Sequence, residues 1–339
     1  MTVGEGRTPD RQVVRQLHRL VTGYQVSQAV HVAATLGVCD LLADGPKRAG
    51  ELAAATGADA RSLTRLMRAL VAIGVCAGDD EGFANTELGD ALRTDAPYSI
   101  AGWARYVGRP HHWQAYGALE HSIRTGENGF AVVHGRSVWE YLTEQPEEQA
   151  AFDAAMTSLS QAVSNAVVDG YDFGQFGTVV DIGGGRGLLM SAILSRYPSV
   201  QGVLFDQPGV VAGAGEMLGV LDRCEVVGGS FFESVPPGGD AYVLKSVIHD
   251  WADAESVAIL TTCRRAIPEH GRLLLVEQLL DDSPDPVRTA CSDLTMLVVA
   301  GGQERTTDEY RALLSEAGFD LMRAVPTASN FFILEARPA

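Results

Sequence analysis

Apolar residues recur at helical spacing in the first part of the chain. There are two such stripes, Val26, Ala29, Val30, Ala33, Leu36, Leu41 and Leu42 in the first and Leu63, Leu66, Met67, Leu70 and Ile73 in the second. Spacing of this kind predicts amphipathic helices with one buried face. Asp59 precedes the second stripe, where its carboxylate can accept the free N–H groups of a first helical turn, so it is the expected N-cap.

A small β-hairpin is predicted after the second stripe. Residues 75–77 and 83–84 are short apolar runs on either side of a turn at 78–82. With a short helix at about 49–56, these elements give the outline of a winged helix. The second helix carries Arg61, Arg65 and Arg68, which a DNA reader needs. Solvated helix faces carry such charges too, and we favour a dimerisation role for this element.

From about residue 97 to 170 the pattern remains helical and becomes rich in aromatic and histidine side chains. These are Trp103, Tyr106, His111, His112, Trp113, Tyr116, Phe130, Trp139, Tyr141 and Phe152. Any one of them can belong to a hydrophobic core, but as a group they can also line an apolar pocket. The segment therefore predicts helices that could bind a flat, hydrophobic ligand.

After residue 171 the pattern changes to short apolar runs with helical segments between several of them. The runs lie at 178–182, 202–205, 224–227, 241–247 and 273–276, and two closing strands are predicted at 321–325 and 331–335. Such runs are typical of a parallel sheet buried on both faces. We therefore predict an α/β fold, with a mostly helical, winged-helix-like domain at 1–160 and a Rossmann-like domain at 161–339.

Charge and composition narrow the class of protein. The 339 residues carry a net charge of −17, of which residues 161–339, with 12 basic and 24 acidic side chains, contribute −12. This acidity argues against a nucleic acid or an anionic membrane surface as main partner. No apolar run predicts a membrane span or a signal peptide, so we expect a cytoplasmic protein. The five scattered cysteines predict neither a disulfide framework nor a zinc site.

A glycine-rich loop, GGGRG at 183–187, follows the first predicted strand of the sheet. Glycines let a backbone turn sharply and let a ligand approach the main chain. The second strand ends in Asp206, 23 residues after Gly183, where a carboxylate can accept hydrogen bonds from a ribose diol. NAD and S-adenosylmethionine both carry that diol. The loop lacks the third glycine of the pyrophosphate-binding GxGxxG pattern, which favours S-adenosylmethionine.

The third strand is followed by Ser230 and Phe231. A hydroxyl beside an aromatic ring can bond the edge of an adenine and cover its face. A turn followed by core phenylalanines gives the same pattern, so both interpretations stay open at this position.

His249 lies at the end of the fourth strand, next to Asp250, and Glu277 ends the fifth strand. Ligands of open α/β sheets bind outside the carboxyl ends of the strands, so His249 can reach the cofactor. An imidazole with a pKa of about 6.5 can take the proton of a phenol as its oxygen attacks a carbon. A carboxylate on the other ring nitrogen would fix the tautomer, and Glu277 and Glu304 are both candidates. These four residues are the predicted catalytic group.

Six segments carry a resemblance to a known family. They are, in order, DIGGGRG, LFDQP, GGSFFESVP, YVLKSVIHDWAD, GRLLLVEQLL and GGQERT. Together they resemble the plant caffeate and bacterial small-molecule O-methyltransferases over nearly the whole chain. The resemblance implies S-adenosylmethionine as cofactor, a small aromatic acceptor and a homodimer formed through the N-terminal domain. The sulfonium carbon is already electrophilic, so no metal site is predicted.

The resemblance also implies roles for individual residues. The predicted cofactor contacts are Ser160, Gly183, Gly185, Asp206, Gln207, Ser230, Phe231 and Lys245, and the predicted acceptor contacts are Met156, Met296, Trp139 and Asp293. Asp206 resembles the residue that holds the ribose, Ser160 one that reaches the cofactor carboxylate, and His249 the general base. Ser230 departs from the pattern, since many members carry an acid there. A hydroxyl predicts a weaker contact with adenine, or a contact that passes to the backbone of Phe231.

Other functions remain compatible with parts of the pattern. Some similar proteins bind the cofactor and catalyse hydroxylation or decarboxylation of polyketides, which would not need the histidine. A nicotinamide-dependent oxidoreductase and a winged-helix DNA-binding regulator fit the sequence less well. The predicted acceptor is a phenol or hydroxyquinone of polyketide type, with a phenazine or an aromatic acid also open.

Overall fold

The computed structural model describes residues 10–215 and 222–339. Residues 1–9, part of the segment in which no signal peptide is predicted, and residues 216–221 lie outside the described part. The chain divides into two compact units between Arg109 and Pro110. The boundary predicted after residue 160 falls instead inside one continuous helix, Pro146–Gly170. That helix packs against helix Leu188–Arg196, so the aromatic helices belong with the sheet.

The first unit is mostly helical and contains one β-hairpin. Its helices are α1 (Arg11–Val21), α2 (Gly23–Thr35), α3 (Val38–Leu41), α4 (Ala49–Thr56), α5 (Ala60–Ala72), α6 (Glu87–Asp90) and α7 (Ala101–Val107). The predicted hairpin forms from β1 (Cys76–Asp79) and β2 (Gly82–Asn85), which pair antiparallel. Asp59 caps α5 as predicted, because its carboxylate accepts the N–H of Ser62 at 2.9 Å.

Helix α1 differs from its neighbours because none of its side chains is buried within the described chain. Its apolar residues are between 55% and 73% exposed, namely Val13, Val14, Leu17, Leu20 and Val21. A contiguous apolar surface of this kind marks an interaction site on a protein that is stable in water.

The second unit is a twisted sheet flanked by helices. Its helices are α8 (Pro110–Gly117), α9 (Leu119–Thr125), α10 (Gly129–His134), α11 (Val138–Glu144), α12 (Pro146–Gly170), α13 (Leu188–Arg196), α14 (Pro208–Val211), α15 (Asp253–Ala266), α16 (Pro286–Thr295) and α17 (Thr307–Glu316). Its strands are β3 (Thr178–Ile182), β4 (Gln201–Asp206), β5 (Cys224–Gly228), β6 (Ala241–Lys245), β7 (Arg272–Glu277), β8 (Phe319–Pro326) and β9 (Phe332–Pro338). None of the helices described is long and apolar enough to cross a membrane.

The strands are ordered β5-β4-β3-β6-β7-β9-β8 across the sheet. Strands β3 to β7 are parallel, and β9 runs antiparallel between β7 and β8. In β3, Val180 and Ile182 enter one apolar layer and Val179 enters the other, as the alternation of strand side chains requires. Both faces are therefore buried, as predicted, and the five parallel strands end at one edge, where the polar residues of the site gather.

One strand is shorter than the sequence pattern predicts. The apolar run at 241–247 continues past Lys245, but β6 ends there because Ser246 has a left-handed φ of +56°. Residues other than glycine rarely adopt this conformation, and where they do they often lie at functional sites. The turn releases the chain from the sheet just before His249.

Candidate active site

The glycine loop turns sharply between β3 and α13. Gly183, Gly185 and Gly187 have φ angles of +68°, +60° and +85°, a region that favours glycine. A Cβ on Gly183 would lie 2.8 Å from Cγ2 of Val247, whereas one on Gly185 would meet nothing within 4 Å. The loop therefore leaves open space beside its main chain, which a ligand can approach closely.

Asp206 ends β4 next to this loop. Its Oδ2 accepts the N–H of Gly185 at 2.8 Å, and its Oδ1 accepts the N–H of Gln207 at 2.6 Å. Burial raises the pKa of the Asp206 carboxyl, and these two N–H groups oppose that rise. Each oxygen keeps a further lone pair with which it can accept a hydroxyl. The side chain of Gln207 is exposed.

Lys245 on β6 and Asp181 on β3 carry opposite charges that act on each other. Lys245 is half-buried, and its Nζ donates to the Ser160 Oγ of α12 at 3.0 Å. Asp181 is 1% exposed, and its Oδ2 has no hydrogen-bond donor in the described chain. Burial raises the pKa of Asp181 to about 7 against the opposing charge of Lys245, and burial lowers the pKa of Lys245. A buried carboxylate oxygen without a donor and a half-buried cation together suit a zwitterionic ligand.

Helix α12 is joined to the glycine loop by a pair that sequence reasoning missed. The Arg186 Nη2 donates to the Asp153 Oδ2 at 3.0 Å. Asp153 lies one turn before the predicted residue Met156 and two turns before Ser160, so all three share one side of the helix. Helical spacing could have revealed Asp153, because this acid lies three and seven residues before Met156 and Ser160, which were already predicted to belong to the site.

The turn after β5 positions Ser230 and Phe231. The Ser230 Oγ accepts the N–H of Phe232 at 3.3 Å, so the hydroxyl stabilises its own turn. Phe231 is half-buried and packs edge-to-face on Trp251, with ring centroids 5.9 Å apart. The phenylalanine ring is thus held at the site, whereas the hydroxyl is already engaged in one bond.

Trp251 connects the strand ends to the aromatic helices. It stacks on Trp139 of α11 with centroids 6.0 Å apart and an interplanar angle of 22°. Trp139 packs edge-to-face on Phe152 of α12 at 5.8 Å. The buried Trp139 Nε1 has no acceptor in the described chain. Trp139, which is predicted to contact the acceptor substrate, therefore stacks on a residue only two positions after His249.

His249 lies on a short 3₁₀ turn, Ile248–Asp250, directly after β6. Its Nδ1 is 2.8 Å from the Glu277 Oε2 and 3.8 Å from the Glu304 Oε2, and its Nε2 is 3.5 Å from the Asp250 Oδ1. The Nδ1–Glu277 contact is a close ion pair whose angle departs from that of a hydrogen bond. All four residues of the predicted catalytic group are thus brought together, with Glu277 nearest to Nδ1.

Glu277 is fully buried at the end of β7 and contacts the histidine turn through both of its carboxylate oxygens. Its Oε1 accepts the N–H groups of Val247 and Ile248 at 3.2 and 2.9 Å, while Oε2 faces His249. One carboxylate therefore orients both the backbone of the turn and the imidazole it carries.

The charge state of His249 differs from the one assumed from sequence. Burial lowers its pKa, but the charges of Glu277, Asp250 and Glu304 outweigh burial and raise it to about 10. Burial raises the pKa of Asp250 to about 7, although the charge of His249 lowers it. The surroundings favour an imidazolium, whereas a pKa of about 6.5 would leave the ring mostly neutral at pH 7.

Arg305 is a further residue that sequence reasoning missed. It is fully buried, and its guanidinium donates to the carbonyl oxygens of Ile248 and Trp251 at 3.1 and 2.8 Å and to the Asp253 Oδ1 at 2.8 Å. Ile248 and Trp251 lie before and after His249 in the chain, so Arg305 stabilises the turn that carries the imidazole. The sequence feature that could have revealed Arg305 is its position directly after Glu304 in the GGQERT segment.

The remaining predicted acceptor residues lie on α12, α16 and the turn that follows. Met156 is half-buried on α12, and Met296 begins a π-helical turn, Met296–Ala300, that directly follows α16. Asp293 is half-buried, and its Oδ1 accepts the N–H of Glu304 at 2.9 Å. The Tyr116 and Thr295 hydroxyls lie 2.5 Å apart beside that turn. Asp293 is thus tied to the catalytic group.

Comparisons with known proteins match both units. An O-methyltransferase dimerisation domain matches residues 18–95, and an O-methyltransferase domain matches residues 116–320. The chain is 46% identical to a phenazine O-methyltransferase, PhzM, of Lysobacter antibioticus, over 95% of each chain. It is 41% identical to the mitomycin biosynthesis 6-O-methyltransferase of Streptomyces lavendulae, over 94% of this chain and 93% of that one. The crystal structure of LaPhzM superposes with a TM-score of 0.93 and 45% identity, covering 98% of this chain and all of the other.

Proposed function

The chain belongs to the O-methyltransferase family and is an S-adenosylmethionine-dependent methyltransferase of secondary metabolites, and from this we propose that it methylates a phenolic hydroxyl of a planar aromatic acceptor with His249 as general base. The observation that carries the proposal is the setting of His249. It is positioned by Glu277 on Nδ1 and lies at the strand end beside the glycine loop, with aromatic rings two residues away.

The residues at the strand ends fit the cofactor. When bound, S-adenosylmethionine supplies a methyl carbon made electrophilic by its sulfonium. The open space over Gly185 and the free lone pairs of Asp206 suit its amino-acid and ribose parts. The unpartnered oxygen of Asp181 suits an ammonium, and Lys245 with Ser160 suits a carboxylate. We assign the turn that carries Ser230 to the adenine, with Phe231 as the covering ring.

The proton of the acceptor hydroxyl goes to His249 Nε2 in this proposal, because Nδ1 faces Glu277. A phenol has a pKa of about 10, and that of His249 is raised to about 10 by its three carboxylates. Proton transfer between groups of similar pKa is close to balanced, which is the favourable condition for general base catalysis. Transfer then requires the unprotonated ring, so the rate rises with pH as the imidazolium loses its proton.

The aromatic helices supply the acceptor side. Trp139, Phe152 and Trp251 form a continuous ring cluster next to the histidine turn, and flat apolar faces pack well against a planar ligand. Met156 and Met296 are polarizable side chains that adapt to the outline of a bound ring. We propose that these residues and Asp293 contact the acceptor.

The same family match supports a homodimer. The dimerisation domain match includes part of α1, and α1 exposes five large apolar residues. We propose that a second copy of the chain covers this face.

The test of the proposed reaction uses methyl-labelled cofactor and a panel of hydroxylated naphthalenes, quinones and phenazines. The wild type should label the oxygen of at least one acceptor, and His249→Ala should lower that rate by ~10²–10⁴-fold, the usual contribution of a general base. The matched control is His270→Ala, because His270 is exposed and lies before β7, at the opposite end of that strand from Glu277. A His249→Ala enzyme with wild-type kcat would exclude the base assignment.

A further inference from the structure

A buried hydrogen-bond network ends on the Oε1 atom of Glu304. Gln278, the residue after Glu277, donates from Nε2 to this oxygen at 3.0 Å, and the Ser292 Oγ of α16 donates to it at 2.7 Å. Gln278 and Glu304 are 4% and 2% exposed. Two donors on one buried oxygen hold the carboxylate form of Glu304, since hydrogen bonds to the charged form favour it.

The direction of the network is set at its far end. The N–H of Asp285 can only donate, and it donates to the Asn330 Oδ1 at 3.1 Å. The Asn330 Nδ2 must therefore point the other way, where it donates to the Gln278 Oε1 at 2.6 Å. This fixes the amide of Gln278 in turn, so its Nε2 donates to Glu304. A backbone N–H at the start of α16 thus orients two amides towards the catalytic group.

The second oxygen of Glu304 is left for His249. The Glu304 Oε2 accepts no hydrogen bond in the described chain and lies 3.8 Å from the His249 Nδ1. Glu277 is closer, but its Oε1 is occupied by the backbone of the turn. In each glutamate, therefore, one carboxylate oxygen accepts two hydrogen bonds and the other faces the imidazole.

We propose that Gln278 is a positioning residue of the methyl transfer, whose amide keeps Glu304 ionised and aimed so that its charge strengthens His249 as a base. The inference rests on the proposed function, in which His249 takes the acceptor proton. Burial raises the pKa of Glu304, and the bonds from Ser292 and Gln278 oppose that rise. The other titratable groups that interact with Glu304 or His249 are Glu277, Asp250, Asp293 and Tyr310. Arg305 lies behind the turn, with its guanidinium on the carbonyls of Ile248 and Trp251, and Lys245 interacts with Asp181 and Glu277.

Two substitutions separate the charge effect from a loss of packing. Gln278→Met removes the donor with little change in size, so Glu304 binds a proton more readily and the charge facing His249 decreases. The acid limb of the kcat–pH profile should then move to lower pH by about half a unit to one unit, with a plateau about 3-fold lower because the base is weaker. Glu304→Gln removes the charge outright, so its limb should move to lower pH at least as far, and adding Gln278→Met to Glu304→Gln should move the limb no further.

The double variant separates positioning from a mere loss of packing. A structural defect lowers kcat without moving the limb, or moves it equally with and without the charge of Glu304. A Gln278→Met limb that stays at the wild-type pH, or that moves by the same amount in the Glu304→Gln background, would overturn the proposal. Ser292→Ala removes the other donor and should shift the limb as Gln278→Met does, which keeps the test open if Gln278→Met does not fold. Gln201→Met, at an exposed position, is the matched control.

Failure of the proposed function has a different signature. If His249→Ala retains wild-type kcat, the base assignment itself is wrong. If His249→Ala is inactive and Gln278→Met and Ser292→Ala keep the wild-type limb, only the role of Gln278 is rejected.

Discussion

His249 is surrounded by more negative charge than its own proton can neutralise. Glu277, Asp250 and Glu304 all lie within 3.8 Å of its ring nitrogens. Water is largely excluded, because the histidine is 9% exposed and the two glutamates at most 2%, and charges interact more strongly where water is excluded. The folded protein therefore binds a proton on His249 that the unfolded chain releases at a much lower pH.

This proton makes the stability of the protein depend on pH. The folded-state pKa of about 10 lies above the unfolded value of about 6.5, so the stabilisation is fully present below about pH 6.5 and is lost as the pH rises towards 10. The wild type should lose more unfolding free energy between pH 8 and pH 10 than His249→Gln. Denaturant titrations at both pH values measure the difference, and parallel losses in the two proteins would contradict it.

The pH window is chosen to isolate the histidine. The pKa of Asp181 is raised to about 7, so this carboxyl is largely ionised at pH 8 in both proteins. The charge of His249 lowers the pKa of Asp250, so both proteins are compared in an Asp250→Asn background, in which this carboxyl cannot titrate. A control at His270, which is exposed, should follow the wild type.

Single residues show how far sequence reasoning reaches. The group of His249, Asp250, Glu277 and Glu304 was predicted from strand ends and motif order, and the four side chains lie together. Which glutamate lies nearer to His249 was not predictable, because both are distant from it in the chain. The same limit applies to Gln278. Its neighbour Glu277 was assigned, yet its own role depends on an amide whose direction is set by the N–H of Asp285, a contact that no local pattern reports.

At the scale of elements, the 3₁₀ turn that carries His249 is held by two segments of chain, the end of β7 and residues 302–305. Glu277 at the end of β7 accepts two of its N–H groups, and Arg305 donates to two of its carbonyls. Gly302 packs on its main chain so closely that a Cβ there would collide with the carbonyl oxygen of His249 and the backbone of Asp250. Glycine at 302 is required by this approach, since its φ is not left-handed.

Gly302→Ala should therefore displace the turn. We expect about 1–3 kcal/mol lower unfolding free energy, as for other overpacked sites, and at least about a 10-fold loss of kcat from a misplaced base. Thermal unfolding and steady-state kinetics measure the two effects. Gly117→Ala is the matched control because a Cβ at Gly117 meets nothing within 4 Å; equal behaviour of the two variants would reject the close-approach argument.

The elements themselves were mostly predictable, because each buried strand is a continuous apolar run. Two local features were not. The end of β6 depends on the left-handed backbone of Ser246, although the apolar run continues through Val247. The π-helical turn Met296–Ala300 inserts one residue into a helix. A segment of five residues is too short for its hydrophobic spacing to distinguish this turn from an α-helix.

For the whole molecule, the exposed apolar face of α1 is the main feature left unburied. Leu17 and Leu20 are 59% and 73% exposed, and covering such a side chain contributes about 1.5–3 kcal/mol. The protein should sediment as a dimer at micromolar concentration, and Leu17→Glu should weaken the dimer by ~10-fold or more. Gln16→Glu on the same helix is the control for added charge. A monomeric wild type would contradict the proposed interface.

The division into two units was the least predictable property of the chain. The sequence changes from helical to strand periodicity at residue 171, but the packing partner changes at Pro110. Periodicity reports the local conformation of a segment, whereas unit membership depends on what its apolar face covers. Helices α8 to α12 have the helical pattern of the first unit and the contacts of the second.

Helix α12 has a practical consequence for anyone redesigning the substrate range. It carries Asp153, which pairs with Arg186, and Ser160, which receives a bond from Lys245. Met156, the proposed acceptor contact, lies between them on the same helix, so enlarging or shrinking its side chain should also disturb the proposed cofactor contacts. The segment that begins at Met296 has its own anchor, a bond from the Asn128 side chain to the carbonyl of Leu297. Libraries aimed at new acceptors should randomise Met296 and spare Met156.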